Sequence, residues 1–173
     1  KGQLQLLEAI HKSNVADKFC LEMYGEVIDQ SYAMELKKYL LKSKLNNCIL
    51  NNKISKKEYL SKLSRAHIAA NLSKHSSNND SEGGCPVFLK DALALSKPLL
   101  TTTHCDIPEL AINQYNSWIV PEGDVAGAAN KLKEISVLSS AEYYRYARDA
   151  YFSAQGKINS NWTRDGFLNV YEK

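Results

Sequence analysis

The sequence predicts an α/β fold, a three-layer αβα arrangement with a parallel sheet of about five strands. Two observations predict it. Short apolar runs of strand length alternate with segments of helical periodicity, five strands in all, and such alternation implies a parallel sheet covered on both faces. The length of 173 residues suits one domain with a real core, and 44% hydrophobic with 24% charged residues is ordinary for a globular chain.

Each element has its own signal. Residues 2–13 place Leu6, Leu7 and Ile10 on one helical face. Residues 18–25 (KFCLEMYG) read as a buried strand ending at a glycine. Residues 31–43 return to helical spacing, with Ala33, Leu36 and Leu40 in register. Residues 48–50 form a short strand. Ser55 is an N-cap, and Glu58 three positions on completes a capping box for a helix carrying Tyr59, Leu60 and Leu63. Residues 67–72 (HIAANL) are the next strand. The polar run 76–81 reads as a mobile loop. A helix follows over about 86–95, then strands at 98–102 and 117–120. Asp124 caps a helix with Val125, Ala128, Ala129 and Leu132 on one face. Residues 140–154 are helical with Ala141, Tyr144, Ala147 and Tyr151 in register, and a last short helix spans about 162–171.

Charge and cysteine usage narrow the function classes. A net charge of +3 does not call for nucleic acid. Cys20, Cys48, Cys85 and Cys105 lie far apart with neither CxxC nor zinc spacing, which favours a reducing cytoplasm over a disulfide framework. No run approaches the roughly 20 apolar residues of a membrane span, and nothing resembles a signal peptide. Residues 37–65 hold eight lysines and Arg65 against Glu58, which reads as solvated helix faces or as a surface for anionic lipid headgroups. No interleaved aromatics suit single-stranded nucleic acid. The chain opens at Lys1, without Met, directly in a helical pattern, and is expected to belong to something longer.

The unusual residues gather between 73 and 109. Glu82-Gly83-Gly84 stands just before a helix. Glycines there let a ligand approach the backbone, and the amides and dipole of a helix start favour an anion such as phosphate. The other reading is a plain glycine turn, with Pro86 suited to a first helical turn. Asp91 lies nine residues after Glu82; its carboxylate can accept both hydroxyls of a ribose diol, or can be a solvated helix acid. Lys90 beside it can pair with Asp91 or phosphate, or lie free on the surface. His104, Asp106 and Glu109 follow a strand and suggest a metal or acid–base site. Asp106-Ile107-Pro108-Glu109 also reads as a helix cap with proline and an acid in the first turn. No further ligand spacing supports a metal, and there is no nucleophile elbow.

The order KG…LLEAI, a strand ending MYG, EGGCPVFLKDALALSKPLLTT, HCDIPELA and NSWIVPEGD resembles the C-terminal half of a glycosyltransferase family 4 enzyme. The resemblance covers about residues 1–136, and is closest to the branch making capsular or colanic-acid-like surface polysaccharides. It implies the GT-B fold, two Rossmann-like domains facing across a cleft, of which this chain is the donor-binding one. The N-terminal acceptor domain and the first strand of the sheet, ahead of Lys1, are expected outside the chain, leaving five strands of six. Glu82 would bond the donor sugar's hydroxyls and is the catalytic candidate. The backbone of Gly83, Gly84, Cys85, Val87, Phe88 and Leu89 would meet sugar and diphosphate. Asp91 would hold the ribose in place of the usual glutamate, one methylene longer. Lys1 would neutralise the diphosphate, and the turn holding Asn52 and Lys53 would lie against the base. The resemblance implies a nucleotide-sugar donor, a glycan or lipid-linked acceptor, no metal or other cofactor, and a cytoplasmic location with peripheral association at the inner face of the plasma membrane. The competing reading is a non-catalytic nucleotide-sugar-binding or scaffold module. The isolated chain is expected to bind nucleotide weakly and not to transfer sugar.

Overall fold

The structure is a computed structural model that describes residues 2–75 and 84–157. Lys1, the 76–83 loop with Glu82 and Gly83, and the expected helix at 162–171 lie outside the described residues.

Helix α1 (Gln3–Ser13) buries Leu6, Leu7, Ala9 and Ile10. A single 3₁₀ turn at Ala16–Lys18 leads to β1 (Leu21–Tyr24), so that strand is shorter than the apolar run suggests. Helix α2 (Gln30–Ser43) begins at Asp29, whose carboxylate accepts the Tyr32 amide. β2 (Cys48–Asn51) pairs in parallel with β1, Leu21 opposite Cys48 and Tyr24 opposite Asn51. Helix α3 (Lys56–Arg65) starts with the full capping box between Ser55 and Glu58, a device worth about 1 kcal/mol. β3 (Ala69–Asn71), α4 (Val87–Ala94), β4 (Leu99–Thr102), the single-turn α5 (Ile107–Leu110), β5 (Ser117–Val120), α6 (Val125–Ser136) and α7 (Ser140–Lys157) follow. Asp124 caps α6 by accepting the Gly127 amide.

All strand pairs are parallel, but the five strands form two sheets, β1-β2 and β3-β4-β5, rather than one. Among the described residues no strand ladder joins the two; a shared apolar layer does. Leu21 and Met23 of β1, Cys48 and Leu50 of β2, Ala70, Leu100, Trp118 and Val120 all pack with the inner faces of α1, α2 and α6. The alternate residues Ala69, Leu99 and Ile119 pack the other way, against α3, α4, α5 and α7. This two-residue alternation sorts side chains into the two faces of the three-stranded sheet and produces the three layers.

Helix α7 corrects one expectation. Tyr144 and Tyr151 are exposed, whereas Tyr146, Ala147, Ala150 and Ala154 are buried. Aromatic residues occur on both sides of this helix, so tyrosine spacing misplaces its inner face. The alanines let α7 pack closely on α4, and Tyr146 stacks on Trp118 with ring centroids 4.2 Å apart. No helix among the described residues is long and apolar enough to cross a membrane.

Candidate functional site

Parallel pairing sends the exits of β3, β4 and β5 to one edge of the sheet, where α/β folds take their ligands. Three features converge there. Gly2, at the start of α1, has φ 72°, and a Cβ at this position would collide with the Leu72 backbone just beyond β3. Only glycine fits, so Gly2 is held at the β3 exit. Gly84 also has positive φ, 86°, and leads through Cys85 and Pro86 into α4. The first amides of any helix lack partners within it, and those of α4 open on this edge by topology. The Asp106 carboxylate lies close by, 3.9 Å from where a Gly84 Cβ would stand.

The expected binding residues take different positions. Leu89 is fully buried in the core, and its amide donates to Pro86 O at 2.9 Å. Val87 is exposed and Phe88 half-buried. Burial pushes the Cys85 thiol up, with Lys90 opposing and the Asp106 and Glu109 carboxylates adding to the rise. That electrostatic coupling brings the Gly84 turn and the start of α5 into one neighbourhood. Asp91 is half-buried and accepts the Tyr59 O–H at 2.9 Å. Burial, together with that bond to Asp91, raises the Tyr59 pKa, so Tyr59 stays a donor. One carboxylate oxygen is thereby oriented by α3. Asn52 and Lys53 follow the exit of β2, where Lys53 pairs with Glu26 at 3.0 Å on the open surface. Lys62 similarly meets Glu22 at 3.4 Å. Part of the basic run between 37 and 65 is thus matched by acids flanking or within β1.

The expected cluster at His104, Asp106 and Glu109 is arranged otherwise. Asp106 precedes α5 and Pro108 sits in its first turn, but no side-chain cap bond forms. His104 instead turns inward, with only 4% of its surface exposed. Its Nδ1 lies 2.9 Å from Glu122 Oε1, and Nδ1 of His75 lies 2.8 Å from Glu122 Oε2. The His75 backbone amide donates to the same Oε2 at 2.8 Å. Glu122 follows β5, His104 follows β4 and His75 follows β3, so one carboxylate ties three strand exits. The Thr102 hydroxyl donates to Ser73 O at 2.6 Å and holds the β3 exit against β4. Sequence spacing did not reveal His75 or Glu122 because they lie 47 residues apart. The available signal was positional: each follows the end of a parallel strand.

Burial alone would raise the Glu122 pKa, but the bonds from His75 and His104 outweigh it and lower the carboxyl from 4.5 to about 2. A depressed carboxyl contributes stability that is complete above its unfolded pKa and is lost as pH falls through its folded one. Wild-type stability should therefore drop between about pH 4.5 and pH 2, and Glu122→Gln should flatten that part of the profile. Urea unfolding at successive pH values measures it; equal slopes in both proteins would assign the acid sensitivity elsewhere.

The sequence matches the family described as Glycosyl transferases group 1 over residues 1–150. It is 39% identical over 59 residues to WcaL of Escherichia coli (strain K12), which bears the name of a colanic acid biosynthesis glycosyltransferase; the match spans 34% of this chain and 14% of WcaL. A glycosyltransferase from Rickettsia africae ESF-5 superimposes with a TM-score of 0.80 at 18% identity, over 99% of this chain and 44% of that one. Anabaena Alr3699/HepE, solved in complex with UDP and glucose, gives 0.75 at 17% identity, over 99% and 45%. The chain thus spans less than half the length of these relatives. Its fold is that of the C-terminal half of GT-B glycosyltransferases.

Proposed function

Because the chain belongs to the Glycosyl transferases group 1 family, we propose that it is the donor-binding domain of a retaining, nucleotide-sugar-dependent glycosyltransferase of family 4, acting in surface-polysaccharide synthesis. The carrying observation is the placement of Gly84 and α4. A left-handed glycine at the ligand edge of the sheet leads into the start of a helix whose second turn holds Asp91. Gly2, which follows Lys1 in the chain, sits at the neighbouring β3 exit. These groups suit a nucleoside diphosphate: helix amides for phosphate oxygens, a cation for the diphosphate and a carboxylate for the ribose diol. The HepE complex with UDP and glucose supports the same ligand class, and the WcaL name supports the polysaccharide setting.

In this reading residues 1–173 are one Rossmann-like domain, and a partner domain ahead of it binds the glycan or lipid-linked acceptor. The two-part sheet agrees with a further strand ahead of Lys1. Glu82 and the backbone of Gly83, Gly84, Cys85, Val87 and Phe88 hold the sugar and diphosphate, Asp91 the ribose, and Asn52 with Lys53 the base side. The bond from the anomeric carbon to the diphosphate breaks, the acceptor hydroxyl forms the new bond, and its proton passes to the departing diphosphate oxygen. Lys1 and the α4 amides stabilise that departing charge, so transfer itself asks for no metal. The enzyme works in the cytoplasm, with peripheral association at the inner face of the membrane, and takes no nucleic acid partner.

The test is turnover by the complete enzyme with UDP- and GDP-sugars, reading the product anomer by proton NMR. An α-linked product from an α-linked donor is expected; an inverted product would refute the retaining assignment. A second reading, a non-catalytic binding module, draws on the shorter Asp91 and its engagement by Tyr59. The same assay separates them: activity appearing only in Asp91→Glu would favour the module.

A further inference from the structure

The cluster at the exits of β3 and β4 has the chemistry of a metal site. One ligand atom from each of His75, His104 and Cys105 lies within 4.8 Å of the others. Glu122 fixes how the two rings present themselves. Glu122 presents one carboxylate oxygen to each Nδ1, as an acceptor for the Nδ1 proton of each ring. That leaves the Nε2 of each ring as the atom available to a metal. This is the carboxylate–histidine arrangement that orients metal-binding imidazoles and raises their basicity.

The distances fit. A tetrahedral ion with bonds of about 2.0–2.3 Å to nitrogen and sulfur sets neighbouring ligand atoms roughly 3.3–3.7 Å apart. His104 Nε2 and Cys105 Sγ already lie 3.3 Å apart. Cys105 has φ 46°, a backbone state rare for residues other than glycine. The His104 ring is buried and tied, whereas the His75 side chain is half-exposed and the freer of the two to adjust to an ion. The two rings already meet edge to face with centroids 4.8 Å apart.

We propose that His75, His104 and Cys105 bind one divalent transition-metal ion of the zinc class, with Glu122 positioning both imidazoles. Two nitrogens and a thiolate suit zinc better than magnesium or calcium, which prefer oxygen. Binding releases the Cys105 thiol proton. Three protein ligands leave a fourth position for water. The ion clamps the β3 exit to the β4 exit and plays no part in the transfer chemistry above; its binding does not depend on that assignment.

Cobalt titration of the reduced full chain, followed by absorption, tests this. Tetrahedral d–d bands should appear with a near-ultraviolet thiolate-to-cobalt band, and zinc should displace both. Cys105→Ser should abolish the near-ultraviolet band and weaken binding at least about tenfold. Glu122→Gln should keep the band and weaken binding about 10–100-fold. His75→Gln, at a half-exposed position, supplies a variant whose folding is least at risk and should also weaken binding at least about tenfold. Cys20→Ser, at an exposed cysteine outside the cluster, should leave the cobalt spectrum unchanged. Absence of a thiolate band in folded wild type, or a band that survives Cys105→Ser, overturns the proposal. So does binding unchanged by His75→Gln.

Discussion

Trp118→Ala should lower the stability of the chain by about 3–5 kcal/mol, the usual cost of removing a buried tryptophan. Trp118 is 2% exposed at the centre of β5. Its ring contributes to the layer beneath α1, α2 and α6 and stacks on Tyr146 of α7. Because α7 also packs on α4, losing the indole loosens a helix that contacts the back of the proposed donor segment. A fall in melting temperature of about 6–20 °C is expected for a chain of this size. Trp118→Phe keeps an aromatic partner for Tyr146 and should cost distinctly less. Calorimetric melting of the three proteins decides it; near-equal melting temperatures would show that the Trp118–Tyr146 stack is peripheral to the core.

Glu82→Gln in the complete enzyme should lower kcat/KM by about 10- to 100-fold, the range for losing charged hydrogen bonds to substrate hydroxyls. The substitution keeps the side chain's shape and one acceptor oxygen, so folding should be preserved. If Glu82 bonds the sugar but not the nucleotide, affinity for the free nucleoside diphosphate should stay near wild type while transfer falls. Steady-state kinetics with product-inhibition constants separates the two effects. Unchanged kcat/KM would remove Glu82 from the donor site.

Signals contained within one turn of chain are the ones sequence conveys well. Ser55 and Glu58 form their capping box because both partners sit on the same first turn of α3. Asp124 caps α6 for the same reason. The alternation Leu99-Leu100 and Trp118-Ile119 divides between two core layers, as a strand buried on both faces requires. What remained hidden depended on distant partners. The inner face of α7 is set by Trp118 and α4, not by its own tyrosine spacing. The engagement of Asp91 by Tyr59 joins residues 32 apart. His104 looked like a neighbour of Asp106 and Glu109, yet Glu122 draws it towards His75. The division of the strands into two sheets was equally invisible, since each strand run looks alike whether or not its edge finds a partner.

A donor-binding domain must hold a nucleoside diphosphate at the exits of β3 and β4. Isothermal calorimetry of the folded chain with UDP, GDP and their sugars measures this directly. One of these nucleotides should bind, with affinity reduced about tenfold by Asp91→Asn through loss of the charged bond to the ribose. The absence of binding by all of them, in protein shown by circular dichroism to be folded, would contradict it.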